Sequence, residues 1–251
     1  MAESRTNGQR DRRTKMKILV NGCSFSRGPI SWPYYLKGLT DKTGQGIINL
    51  AQAGAGNTYI HDTTMRILEK EKFDLVLIMW SGIHRIDKQI IPEDVDQMET
   101  AYSSKKQSLK NDWPEKVVKP INDQTFVEKN WIFGVGALDN DASKVSTLFK
   151  NDYQYTGSKE FTDQFIVKLV SLQNTLKQLD IPYVFSFYQP YTDEIKKSTL
   201  IDWDNCITND NISTIAKKLN SYGDDILHPG LEANQKWADC VVEHLKQKDI
   251  I

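Results

Sequence analysis

Cysteine is scarce in this chain. Three of its 251 residues are cysteines, Cys23, Cys206 and Cys240, and they fall in no paired spacing. That excludes a disulfide-built scaffold and points to a reducing compartment, the cytoplasm or an equivalent. Histidine is nearly as scarce. His61, His84, His228 and His244 are scattered, so no zinc site or other dedicated metal centre is expected. Excess charge of either sign is absent: 32 basic residues face 33 acidic ones. There is no electrostatic footprint for nucleic acid or for an anionic membrane surface. No apolar run approaches the roughly 20 residues of a membrane span. Residues 1–15 are polar and basic and lack the apolar segment of a secretory signal. They read as a disordered tail ahead of a single domain over 16–251.

What is present is an alternation of short apolar runs and helical periodicities. Lys17 to Asn21, Gly46 to Leu50, Phe73 to Trp80 and Pro182 to Tyr188 read as strands. Phe73 to Trp80 is almost continuously apolar, as a central parallel strand with both faces covered must be. A fifth, short strand is expected near Leu200 to Trp203. Ser31 to Gly38 reads as a short helix with Pro33 in its first turn. Thr58 to Lys70 carries apolar residues at helical spacing, as does the series Phe161, Phe165, Leu169, Leu172, Leu176. Ile212 to Leu219 also reads as helical. A last helix follows Gly230 and presents Trp237, Ala238, Val241, Val242 and Leu245 inward. The pattern dissolves between about Ile86 and Ser158, a stretch too long for an ordinary connection and read as a lid-like insertion. The expectation is an α/β fold of three layers. It has a flavodoxin-like parallel sheet of four or five strands, helices on both faces, and the insertion after the third strand.

Three loops follow strand ends and would lie side by side at the carboxyl edge of such a sheet, where open α/β sheets bind ligands. The first contains Ser24, in Asn21-Gly22-Cys23-Ser24-Phe25-Ser26. The second is the small-residue run Ala51 to Asn57, and the third is Ser81 to Arg85. Near the other end of the chain stands Asp224-Asp225-Ile226-Leu227-His228-Pro229. Ser24 as nucleophile, His228 as base and Asp225 as the group orienting that base form the minimum set for acyl transfer through a serine ester. Asp225 is preferred to Asp224. Ser24 at a helix start can offer its own N–H to an oxyanion, and Gly54 can bring a second N–H close because no side chain blocks approach. Ser81, His84 and Arg85, on the third loop, are candidate substrate contacts.

These segments resemble the SGNH/GDSL hydrolase superfamily. Gly22-Cys23-Ser24-Phe25-Ser26 is similar to the first block of that family, Asn49 to Asn57 to its second, and Asp225-Ile226-Leu227-His228-Pro229 to its last, in the same order. Asp74 to Trp80 matches the strand before the third block. The resemblance covers roughly residues 16–85 and 160–250. It implies a serine esterase without metal or cofactor, acting on a small-molecule or glycan ester, such as an acetyl or other short acyl group. It implies Ser24, Asp225 and His228 as catalytic residues and Ser24 and Gly54 as oxyanion donors. Acyl transfer is the alternative within chemistry. A catalytically silent module that binds a glycan or protein is the alternative outside it. Two positions depart from the family. Cys23 stands where it has aspartate, and Ile83 stands near the position of its third-block asparagine, which donates to the oxyanion. Asn57, Ser81 or His84 could supply the missing donor.

Overall fold

The computed structural model describes residues 16–40, 46–89, 131–134 and 158–251. Four parallel strands form the central sheet: β1 (Ile18–Asn21), β2 (Ile47–Asn49), β3 (Leu75–Trp80) and, later in the chain, β6 (Tyr183–Phe187), in the order β2-β1-β3-β6. Every residue of β1, β3 and β6 is buried. The period of two in a strand divides these residues between two cores. Leu19, Val76, Ile78, Trp80, Phe185 and Phe187 face one way. Ile18, Val20, Leu75, Leu77, Met79 and Val184 face the other.

Helices cover both faces. On the first lie α1 (Asn57–Leu68) and α2 (Ser158–Gln178), which present Tyr59, Ile60 and Ile67, and Phe165, Leu169, Leu172 and Leu176. Between β6 and the C-terminal helices is the single-turn α3 (Asp193–Lys196). On the second face lie α4 (Ile212–Leu219) and α5 (Leu231–Gln247), with Trp32 and Leu36 of a 3-10 helix over Trp32–Leu39. Full burial of one such aliphatic or aromatic side chain contributes about 1.5–3 kcal/mol. These stripes are therefore what fix the layers. None of the described helices is long and apolar enough to cross a membrane.

Two expectations change. Leu200 to Trp203 is not a strand. The backbone N–H of Asp202 donates to Gln173 Oε1 (2.7 Å) and the Asp202 carboxylate takes Lys177, Asn205 and the Tyr183 hydroxyl. The segment is tied to α2 by side chains, and its backbone pairs with the sheet edge at a single bridge among the described residues, between Cys206 and Phe185. The central sheet among the described residues therefore has four strands. The stretch that looked patternless from Ile86 also holds two strands, β4 (Ile86–Gln89) and β5 (Trp131–Gly134), paired antiparallel with Ile86 opposite Gly134. Four-residue strands are too short to announce themselves by alternation. The rest of the expected lid and the N-terminal tail lie outside the described residues.

The crossing from β1 into its loop leaves no room for a side chain at Gly22. A Cβ there would lie 2.6 Å from Ser26 Oγ and 3.0 Å from the Met79 carbonyl oxygen. Gly22→Ala is expected to destabilise the protein by about 1–3 kcal/mol, the usual result of overpacking a filled interior. A thermal melt beside Gly38→Ala checks this, since a Cβ at Gly38 meets nothing within 4 Å.

Candidate active site

The site is assembled where β1 ends. Asn21 is fully buried there, and its Nδ2 lies 2.9 Å from both Thr63 Oγ1 and Thr64 Oγ1 and 3.1 Å from the Ile60 carbonyl, all on α1. The two threonine hydroxyls donate to their own helix, at Tyr59 O and Ile60 O, which turns their lone pairs toward Asn21. Asn21 Oδ1 accepts from Gly22 N–H (2.8 Å). The chain then turns into a single 3-10 turn, Ser24–Ser26. Cys23 points into the core and is fully buried, so it packs as a small apolar residue.

The first and last loops meet. Ser24 Oγ lies 2.7 Å from His228 Nε2, across 204 residues of sequence. His228 Nδ1 faces Asp225 Oδ2 in a short contact. Asp225 Oδ1 accepts from the backbone N–H groups of Leu227 (3.0 Å) and His228 (2.9 Å). Burial pushes the Asp225 carboxyl up. The His228 N–H, the imidazole and the Leu227 N–H outweigh that and bring it down to about 2. An ionised carboxylate only accepts, so His228 Nδ1 carries the proton and Nε2 presents its lone pair to the Ser24 hydroxyl. Asp225 supplies this contact; no hydrogen bond or ion pair places Asp224 on the ring.

The last loop is strained to make this turn. Ile226 has φ 54°, in the left-handed region, where a β-branched residue is an outlier. The Ile226 N–H donates to Gly223 O and the Gly223 N–H to His228 O, closing the loop on itself. Ile226 and Leu227 remain 78% and 74% exposed, so their side chains contribute nothing to holding it. The support comes from elsewhere. Ser26 Oγ accepts from Trp32 Nε1 (3.0 Å), the Trp32 N–H donates to Asn234 Oδ1 (2.9 Å), and Asn234 Nδ2 donates to Pro229 O (2.8 Å) and Gly230 O (3.0 Å). Asn234 is buried at the start of α5. It couples the serine loop to the histidine loop. Phe25 adds a packing surface, its ring 4.8 Å from Tyr188 and 5.2 Å from the imidazole of His228.

The second loop is drawn to the first by Gln52 N–H donating to Gly22 O (3.2 Å) and Asn49 Nδ2 donating to Ser26 O (2.7 Å). Gly54 has φ 82°, a conformation that needs glycine. Among the described residues neither the Ser24 N–H nor the Gly54 N–H has a hydrogen-bond partner. Asn57 is different. Its Oδ1 accepts from Ser81 N–H (2.8 Å) and its Nδ2 lies 3.3 Å from the carbonyls of Ser81 and Gly82. Its amide pins the second loop to the third.

The third loop spreads its candidates apart. Ser81 is buried and its hydroxyl is unpartnered. Ile83 packs against the first core and lines a small hollow of about 30 Å³ with Trp80, Phe165, Phe187, Tyr191 and Ile195. His84 is exposed and sits edge-on to Phe161. Arg85 is half-buried, stands over the Tyr188 ring and donates to Ala55 O (3.2 Å). None of the sequence signals pointed to Asn234, Phe25 or Asp87. A clue to Asp87 existed: α1 begins after Gly56 with no capping side chain and no acidic residue in its first turn.

A second serine–histidine–aspartate contact lies between α1 and α2. His61 Nδ1 is 2.7 Å from Asp62 Oδ1, and His61 Nε2 is 3.3 Å from Ser171 Oγ. Ser171 is in mid-helix, where neighbouring N–H groups bond within the helix and offer nothing to an oxyanion. That contact joins two helices.

Asn234→Ala is expected to leave Trp32 N–H and Pro229 O buried and unpaired, costing about 1–3 kcal/mol for each group stranded. It should also lower turnover, because the serine and histidine loops lose their common anchor. A melt together with Ser24 labelling by a fluorophosphonate checks both. An unchanged labelling rate in a destabilised variant would separate the anchor from the site.

No family model and no curated protein matches the chain. Among solved structures it is similar to the psychrotrophic esterase EstA from Pseudoalteromonas sp., inhibited by monoethylphosphonate. The identity is 13% and the TM-score 0.45, over 92% of this chain and 96% of that one. It is also similar to TesA, at 11% identity and a TM-score of 0.45, over 93% of this chain and 99% of the other.

Proposed function

We propose that the protein is a serine hydrolase of the SGNH type that cleaves a short-chain carboxylic ester. The observation that carries this reading is the 2.7 Å contact between Ser24 Oγ and His228 Nε2, with the far nitrogen of the ring held by Asp225. Ser24 Oγ attacks the ester carbonyl while His228 Nε2 takes its proton. The carbonyl oxygen becomes the tetrahedral oxyanion, stabilised by the Ser24 and Gly54 N–H groups. His228 returns the proton to the departing alcohol as the C–O bond breaks. Water then adds to the acyl-Ser24 ester with His228 as base again, and collapse releases the acid and regenerates Ser24. Asp225 stays ionised throughout and stabilises the imidazolium that forms twice per cycle.

One further feature narrows the reading. His228 and Asp225 are 40% and 50% exposed in their side chains, so water reaches the base, which favours hydrolysis over transfer to a second alcohol. An acetylated glycan is one short-chain ester of this kind. With Ile83 in place of a side-chain donor, the oxyanion is left with two backbone donors. One missing donor typically lowers turnover about 100- to 1,000-fold, so a slow esterase is expected.

Ser24→Ala is expected to reduce p-nitrophenyl acetate turnover by about 1,000-fold or more, as loss of a nucleophile does, with an unchanged melt. Wild-type turnover in that variant would place the nucleophile elsewhere. Parallel assays with p-nitrophenyl octanoate and with acetate release from an acetylated glycan test the short-acyl reading.

A further inference from the structure

One peptide unit of the second loop is gripped from both sides by two residues the proposed chemistry does not use. Asp87, in β4, is buried, and its carboxylate reaches the start of α1. Oδ1 accepts from Gly56 N–H (2.7 Å) and Oδ2 from Tyr59 N–H (2.9 Å). Two residues earlier Arg85 Nη1 donates to Ala55 O (3.2 Å). Ala55 C=O and Gly56 N–H belong to the same peptide. Its carbonyl is held by a cation and its N–H by an anion, next to Gly54. The site is shaped for this contact: a Cβ at Gly56 would lie 2.8 and 2.9 Å from the two Asp87 oxygens and 2.9 Å from Arg85 Cβ. Asp87 also supplies the cap that α1 lacks within its own sequence.

We propose that Arg85 and Asp87 are positioning residues that clamp the Ala55–Gly56 peptide and so hold the Gly54 N–H on the oxyanion. This rests on the hydrolase reading above. It replaces substrate binding as the role of Arg85. The two-bond clamp is made by the ionised carboxylate, whose two oxygens both accept.

The groups facing Asp87 are Arg85 on its own segment, Lys168 on α2 and the Tyr59 phenol on α1, with Asp62 acting on Lys168 from behind; the paired strand β5 brings no titratable residue. Burial raises the Asp87 carboxyl to about 6, against the pull of the Tyr59 and Gly56 N–H groups, Arg85 and Lys168. The folded-state value lies above the unfolded one, so the contribution of this group is fully present below about pH 4 and is lost as pH rises through about 6. At neutral pH the fold holds an ionised Asp87 against its own stability, which is the pattern of a functional group rather than a filler.

The test uses the full chain. Wild type and Asp87→Asn are labelled at Ser24 with a fluorophosphonate from pH 5 to 8, and amide exchange is followed at Gly56 and Tyr59. In wild type, protection at these amides, corrected for the chemical exchange rate, should rise about tenfold between pH 7.5 and 5, because the closed form binds the Asp87 proton more tightly than the open one. Asp87→Asn should label about tenfold more slowly at pH 7.5 and lose the pH-dependent change in protection. Arg85→Gln should lower kcat for p-nitrophenyl acetate with KM changed less than twofold. A wild type that labels, with Asp87→Asn labelling at the same rate, overturns the clamp alone. A raised KM with intact kcat in Arg85→Gln returns that residue to substrate binding and also overturns it. A wild type that does not label at all overturns the hydrolase reading and the clamp with it. The wild-type exchange profile needs no variant to fold.

Discussion

A single buried amide carries the hardest requirement of this architecture. The serine follows the first strand and the histidine precedes the last helix, and nothing local brings them together. Asn234 does so by accepting from the Trp32 backbone and donating to the two carbonyls that follow His228. Trp32 in turn holds Ser26. The chain of bonds is buried along its length, where each polar group is strongly held and its loss is costly. A separation of 2.7 Å between Ser24 and His228 is then a property of the packed sheet and α5 together. Neither loop has it alone.

The two carboxylates that shape the site live in opposite surroundings. Asp225 is half exposed and receives two backbone N–H groups and an imidazole, so it stays ionised down to about pH 2. Asp87 is enclosed, and its two backbone donors do not overcome desolvation. In the proposed hydrolysis the first orients a base that cycles between charged and neutral forms, and its exposure lets water reach the imidazole. In the proposed clamp the second holds a loop in place, and burial suits it because buried hydrogen bonds hold geometry better than solvated ones.

Strain is stored in the loop that carries His228, in a shape that packing does not favour. Ile226 is held at positive φ with its side chain in water, so neither conformation nor burial favours it there. The loop keeps this turn because Asp225 caps two N–H groups inside it and the Gly223 pair closes it. The stability comes instead from the two cores. There β3 places six consecutive buried residues at the centre of the molecule and α1, α2, α4 and α5 cover both sides.

Much of this was legible in the sequence because it depends on short-range periodicity and on residue chemistry. Continuous apolar runs marked the central strands, and i, i+3, i+4 stripes marked α2 and α5. The order of strand and helix implied a parallel sheet with both faces covered. Ser24, Asp225 and His228 were visible as a chemical set, and the structure brings them into contact. What the sequence could not reveal were interactions between groups far apart in the chain or backbone bonds made by side chains. Asp202 tied to Gln173 removed an expected strand, four-residue pairing made β4 and β5, and Asn57 bonds Ser81 and Gly82 across two loops. Asp87 and Asn234 were ordinary polar residues until the fold enclosed them. The sequence by itself determined which residues are apolar, which can turn and which can react. Only the tertiary structure decided which polar groups lose their water, and a hydrogen bond gains its positioning power when that happens.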